Sequence, residues 1–207
     1  GSYRAALKIK KMKKKDVLPY AIHAKGMGIG AHGTRSGLDY PPPVAYATST
    51  QGGDHTSVGG MSPSKTPSEL LWGFLDTAVI CGFNIQETNL DAIWGMLKAI
   101  TGWNITADDW NNELGPRMLA IQRAALLVGG PDVKWSPDID DENPPRFYEP
   151  LPSGPEKGKT TDRAKVQEDK KKYYSSLGWD GRGIPTSDTL KRLGIENLEK
   201  VFRRMRK

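Results

Sequence analysis

From residue 19 to residue 64 the sequence has almost no hydrophobic period, and from Thr66 onward it has a helical one. That boundary limits the architectures open to the chain. The first stretch is built from Gly, Pro, Ser, Thr and His, in runs such as KGMGIGAHG, YPPPV and TQGGDHTSVGG. Runs of this kind make loops and rigid extended segments. A loop this long is unusual inside a compact domain unless it lines a site or lies against another part of the protein.

The helical part has clear start and stop signals. Thr66, Pro67 and Glu69 read as an N-cap, a first helical position and the closing residue of a capping box, and Gly82 reads as the stop after Cys81. A second helix is expected from Thr88, with Asp91 in its first turn and Leu90, Ile93, Trp94 and Leu97 as its stripe, ending at Gly102. A third starts at Thr106 with Asp109 in its first turn, and Gly115-Pro116 is expected to break it before it resumes toward Gly129. Residues 131–160 read as an extended surface segment. Further helices are expected at 162–176, 187–193 and 195–206. The fold class is therefore mainly α: a helical C-terminal domain, 66–207, preceded by a Gly/Pro-rich, site-lining segment, 19–65, and a basic N-terminal segment, 1–18, that is either a strand or the tail of a longer domain. The expected core is Leu70, Leu71, Phe74, Leu75, Ala78, Ile93, Trp94, Leu97, Ile121 and Leu126.

Composition excludes several classes. Hydrophobic residues make up 37% of the chain, lean for a globular protein, so part of it is expected to be extended or partner-dependent. No run of apolar residues is long enough to span a membrane. Gly1-Ser2 reads as a cloning scar, and the polybasic stretch after it is no signal peptide. The single cysteine, Cys81, excludes an internal disulfide and fits a reducing cytoplasm. Net charge is +6, much of it from Lys8, Lys10, Lys11, Lys13, Lys14 and Lys15. No aromatic residues are interleaved with these lysines to stack on bases, so a solvated terminus is the simpler reading and a nucleic-acid partner is not expected.

Few residues carry chemistry. Asp76 and Cys81 sit in the apolar stretch LWGFLDTAVICGFN. Asp76 lies at the edge of the helix stripe, where a carboxylate faces solvent, caps a loop or needs donors if buried. Cys81 is a small apolar residue unless something uses its thiolate. His23, His32 and His55 all lie in the loop-rich segment with no zinc-site spacing. His55 stands out, because GGDHTS surrounds it with small residues and places Asp54 beside it.

Four stretches, in order, carry a family resemblance: YAIHAKGMGI, AYATSTQGGDH, DTAVIC, and LPSGPEKGK followed by YYSSLGWDGRGIPTSDTLKRLGI. They resemble segments of the C-terminal part of the aldehyde:ferredoxin oxidoreductase family, the tungsten-bispterin enzymes, and DTAVIC resembles its Asp-x-x-Gly-Leu-Cys pterin motif. The resemblance implies that the chain is part of a larger multi-domain oxidoreductase. It implies a tungsten (or molybdenum) bispterin bonded by Asp76 with Ile80 beside it, and a 4Fe–4S cluster with Cys81 as one of four thiolate ligands. It makes His55 the active-site histidine. The reaction implied is oxidation of an aldehyde to a carboxylic acid, with ferredoxin or another electron-transfer protein as acceptor. One cysteine cannot hold a cluster, so an upstream domain or partner subunit is expected to complete the site, and the chain is not expected to be active alone.

Three departures mark the match: Val79 in place of Gly, Ile80 in place of Leu and Gln51 in place of Arg. They also suit a family branch that reduces aryl-CoA thioesters, the benzoyl-CoA reductase active-site subunits. A reading of another class is a non-catalytic basic helical binding module, which nucleic-acid affinity falling steeply with salt would reveal.

Overall fold

The structure is a computed structural model and describes residues 1–30, 44–54, 66–84, 89–129 and 135–206. Helix α1, Ser2–Lys13, opens the chain, where the basic segment was expected to be a strand or a tail. Its lysines face solvent, and Ala6 is its buried residue. A short antiparallel hairpin follows, β1 His23–Ala24 with β2 Met27–Gly28, turning at Lys25 and Gly26, both with positive φ. After it come α2, Ala45–Thr48, buried throughout, and α3, Ser68–Thr77.

Helix α3 is shorter than its sequence signals imply. It starts after Pro67 without a side-chain cap. Glu69 closes no capping box, because its carboxylate is turned inward to other partners. It ends at Thr77, before Gly82, in a turn with Val79 at φ 58°. Helix α4, Leu90–Thr101, is capped by Asn89, whose side chain accepts from Asp91 N, and stops at Gly102 in the left-handed conformation.

Thr106 and Asp109 form the expected capping box on α5, Ala107–Asp109. The chain does not break at Gly115-Pro116. It passes through one π-helical stretch, Trp110–Leu114, into α6, Gly115–Val128. Pro116 has no N–H for the Asn112 carbonyl one turn back. Arg192 supplies a donor instead, at 2.9 Å. Gly115 lets α3 approach: a Cβ there would lie 2.9 Å from Leu70 Cδ2.

Short helix α7, Pro137–Asp140, precedes α8, Arg163–Ser176, which Asp162 caps; α9, Ser187–Arg192, and α10, Glu199–Arg203, close the fold. The stretch around α7 is not an extended surface segment. Trp135, Asp141, Asn143 and Phe147 in it are buried.

Of the expected core, Leu70, Phe74, Leu75 and Ile93 are buried, whereas Leu71 and Ile121 are exposed. Both lie on the outer faces of their helices. Much of the core comes from the tail. Tyr173, Tyr174, Leu177 and Trp179 pack on Leu70 and Leu119, and Leu190, Leu193 and Phe202 pack on Ala120 and Ala124.

A buried ionic group ties these layers together. Asp141 is 1% exposed and takes Lys25 Nζ at 3.0 Å. It also accepts Arg123 through both terminal nitrogens and the Tyr174 hydroxyl at 2.5 Å. Arg123 Nε donates to Gly183 O at 2.8 Å, and its guanidinium lies 4.2 Å from the Trp135 ring centre and 5.2 Å from that of Trp179. A Cβ on Gly183 would lie 2.5 Å from Arg123 Nη2, so the tail can close over the arginine only with glycine there.

Burial alone would push the Asp141 carboxyl up, but the Lys25 and Arg123 charges and its hydrogen bonds outweigh that and hold it below the usual range. Asp141 therefore stabilises the fold fully above the unfolded value of about 3.9, and that share is lost as pH falls through its lower folded value. Asp141→Ala leaves two buried cations without a counter-charge. The expected loss is about 3–5 kcal/mol, read from urea midpoints at constant m-value, and the variant should lack this acid-side loss.

Candidate functional site

A cleft of about 240 Å³ opens between α3, α6 and the turn after α2. Helix α3 contributes Glu69, Trp72, Gly73, Asp76 and Thr77, all on one face by their three- and four-residue spacings. Helix α6 contributes Met118, Leu119 and Gln122, and the turn contributes Gln51. Gly73 makes room for Met118, whose Cε would lie 2.2 Å from a Cβ there. The cleft wall mixes apolar side chains with two carboxylates, two amides and the Thr77 hydroxyl, and among the described residues no cation lines it.

The two carboxylates differ. Asp76 is exposed at the mouth. Glu69, seven residues earlier, is 3% exposed, and burial pushes its carboxyl up. It accepts the Thr50 backbone N–H at 2.7 Å, the Thr50 hydroxyl at 3.1 Å and the Tyr173 hydroxyl. A carboxylate at the mouth of a half-apolar cleft is an acceptor for a ligand that brings N–H donors along one edge. A pterin edge has that chemistry, so Asp76 fits the role.

Beyond Asp76 the chain turns sharply. Ile80 N donates to Leu75 O at 2.9 Å and Val79 N to Asp76 O at 3.2 Å, the pair of bonds that ends a helix in a Schellman turn. The left-handed position of such a turn ordinarily holds glycine, and here it holds Val79. The departure from the Asp-x-x-Gly-Leu-Cys pattern therefore keeps the glycine's backbone shape at a cost in strain. The turn sends Ile80 back onto the cluster of Phe74, Leu75 and Trp110, while Val79, 91% exposed, and Cys81 face outward.

A metal cluster does not fit the described residues by themselves. No group of three or more His, Cys, Asp or Glu among them is placed to hold a metal ion. Cys81 offers one thiolate of the four a 4Fe–4S cluster takes. His55 and His32 lie outside the described residues. His23 sits on the hairpin, its ring 4.5 Å from that of Tyr3 and its Nδ1 accepting from Gly26 N, a structural placement.

Sequence reasoning singled out Asp76 and Gln51, and both line the cleft. It missed Glu69 and Gln122. The spacing of Glu69 from Asp76, two helical turns on an apolar helix, was the available signal. Nothing local marked Gln122.

The fold defines a helical lobe with a cleft of hydrogen-bonding groups and an exposed thiol on the turn beyond it. Residues 1–195 match the family model for aldehyde ferredoxin oxidoreductase, domains 2 and 3. The chain belongs to the aldehyde ferredoxin oxidoreductase family and corresponds to its C-terminal part. It is 48% identical over all 207 residues to an aliphatic sulfonate oxidoreductase, WOR-like subunit, of Pyrococcus furiosus, and covers 33% of that protein. It is 28% identical, over 96% of its length, to a tungsten-containing aldehyde ferredoxin oxidoreductase of Pyrococcus horikoshii, again covering 33% of it. A third relative, the tungsten-containing aldehyde ferredoxin oxidoreductase of P. furiosus, is 30% identical over 73% of the chain and covered for 27% of its length. The chain thus spans about a third of the length of the relatives it matches.

Val79→Gly should relieve the left-handed strain and raise stability by about 1 kcal/mol, the penalty of a side chain there less the extra chain entropy of glycine. Thermal unfolding of the two proteins measures it.

Proposed function

We propose that this chain is the C-terminal portion of a tungsten-bispterin, 4Fe–4S oxidoreductase that oxidises aldehydes to carboxylic acids and passes the electrons to ferredoxin. The observation that carries the reading is the placement of Asp76 on the cleft with Cys81 just beyond it, in a chain of this family. Asp76 holds the pterin edge through its carboxylate oxygens. Cys81 gives one thiolate to the cluster, and the other three ligands come from elsewhere in the complete protein. His55 handles a proton at the substrate. The chemistry that the bound tungsten–pterin group supplies is two-electron redox at the aldehyde carbon. Water provides the added oxygen, and two protons leave with the two electrons.

A second reading has one observation in its favour. The relative that is 48% identical is named for an aliphatic sulfonate, so a small sulfonate is the alternative substrate class for the same cofactors.

In the complete protein, Cys81→Ala should lower cluster iron and abolish or alter the cluster EPR signal, and an unchanged signal would sink the ligand role. His55→Ala should cut turnover by roughly a hundredfold or more with metal content near wild type. Assays with aldehydes and with aliphatic sulfonates, side by side, separate the two readings.

A further inference from the structure

Helix α8 and the turn after α2 converge on the buried carboxylate of Glu69. Tyr173, on α8, donates its hydroxyl to Oε2. Oε1 accepts both the backbone N–H and the hydroxyl of Thr50. Thr50 Oγ1 also stands 2.8 Å from the amide of Gln122. A hydroxyl has one hydrogen, so Thr50 shares it between two acceptors, Glu69 Oε1 and Gln122 Oε1. On its other side the turn lies flat on the hairpin. A Cβ at Gly52 would lie 2.6 Å from Ala24 O, and one at Gly53 2.5 Å from Met27 O. The turn is thus held from both sides, and Gln51, between the two holds, is its residue on the cleft wall.

A carboxylate is a costly way to fill this space, since an apolar side chain of like volume carries no desolvation penalty. What it adds is geometry: two acceptor bonds at set directions to one residue of the turn. We propose that Glu69 is a positioning residue for the cleft: held by Tyr173, it fixes Thr50 through both N–H and hydroxyl and so sets the place of Gln51 on the wall it shares with Asp76. Its bearing on the tungsten–pterin group rests on the reading above, whereas the fixing of the turn does not.

Hydrogen–deuterium exchange of the 207-residue chain tests the fixing. Tyr173→Phe should speed exchange of the amides at 50–53 at least tenfold and leave α6 and α9 unchanged. Thr50→Val should do the same, and Thr50→Ser should restore wild-type protection. Unchanged exchange at 50–53, or a uniform rise that includes α6 and α9, would overturn the proposal. If Tyr173→Phe fails to fold, the Thr50 pair decides. In the complete protein, Thr50→Val should shift the tungsten(V) EPR spectrum at unchanged tungsten content, and an unshifted spectrum there overturns the positioning role. Absence of tungsten from the wild-type protein counts against the reading above, and the exchange result then decides this one alone.

Discussion

Asp141 is the point on which the lobe closes. It brings together Lys25 from the hairpin, Arg123 from the middle of α6 and Tyr174 from α8, residues separated by as much as 149 positions in the chain. Two buried cations and a buried phenol are expensive without an acceptor, and one carboxylate with four lone-pair sites serves all three. Such a group adds little net stability compared with an apolar core. Its value is in allowing few alternative packings, because each misplaced partner leaves a charge buried alone.

The adjacent pair Tyr173 and Tyr174 shows how that closure reaches the cleft. Successive helix positions point about a quarter-turn apart, so one tyrosine goes to Asp141 and its neighbour to Glu69. The two carboxylates belong to different parts of the fold, yet one turn of α8 addresses both. Burial pushes the Glu69 carboxyl up, whereas the facing cations hold that of Asp141 down. The ionic centre is therefore structural, and the carboxylate without a direct cationic partner in its bonds is the one that faces the cleft.

The site has the character of half of something. Its cleft has an acceptor at the mouth and, among the described residues, no group of three or more side chains placed to hold a metal ion, and its thiol lies exposed on a turn flanked by the exposed side chains of Val79 and Phe83. Val79 keeps a strained backbone shape at the surface of this chain. Such strain is tolerated where the surrounding turn is over-determined, as the two Schellman bonds make it here.

The sequence by itself marked the helices that became α4, α5, α8 and α9, with the Thr106–Asp109 capping box and the stop at Gly102, because these depend on a few neighbouring residues; it placed the start of α4 at Thr88, one residue before the Asn89 cap. It also marked Asp76, Gln51 and Cys81, through motifs that are contiguous. Only the tertiary structure decided what Glu69 does, since a glutamate at the third helical position serves equally as a cap or as a core acceptor until Thr50 and Tyr173 arrive. It likewise decided that the Pro- and Asp-rich stretch around 141 is interior and that Pro116 does not break its helix. In each case the partner that settles the outcome, Lys25 and Arg123 for Asp141 or Arg192 for the Asn112 carbonyl, lies far away in sequence. Local pattern carries no information about a hydrogen-bond partner supplied from dozens of residues away.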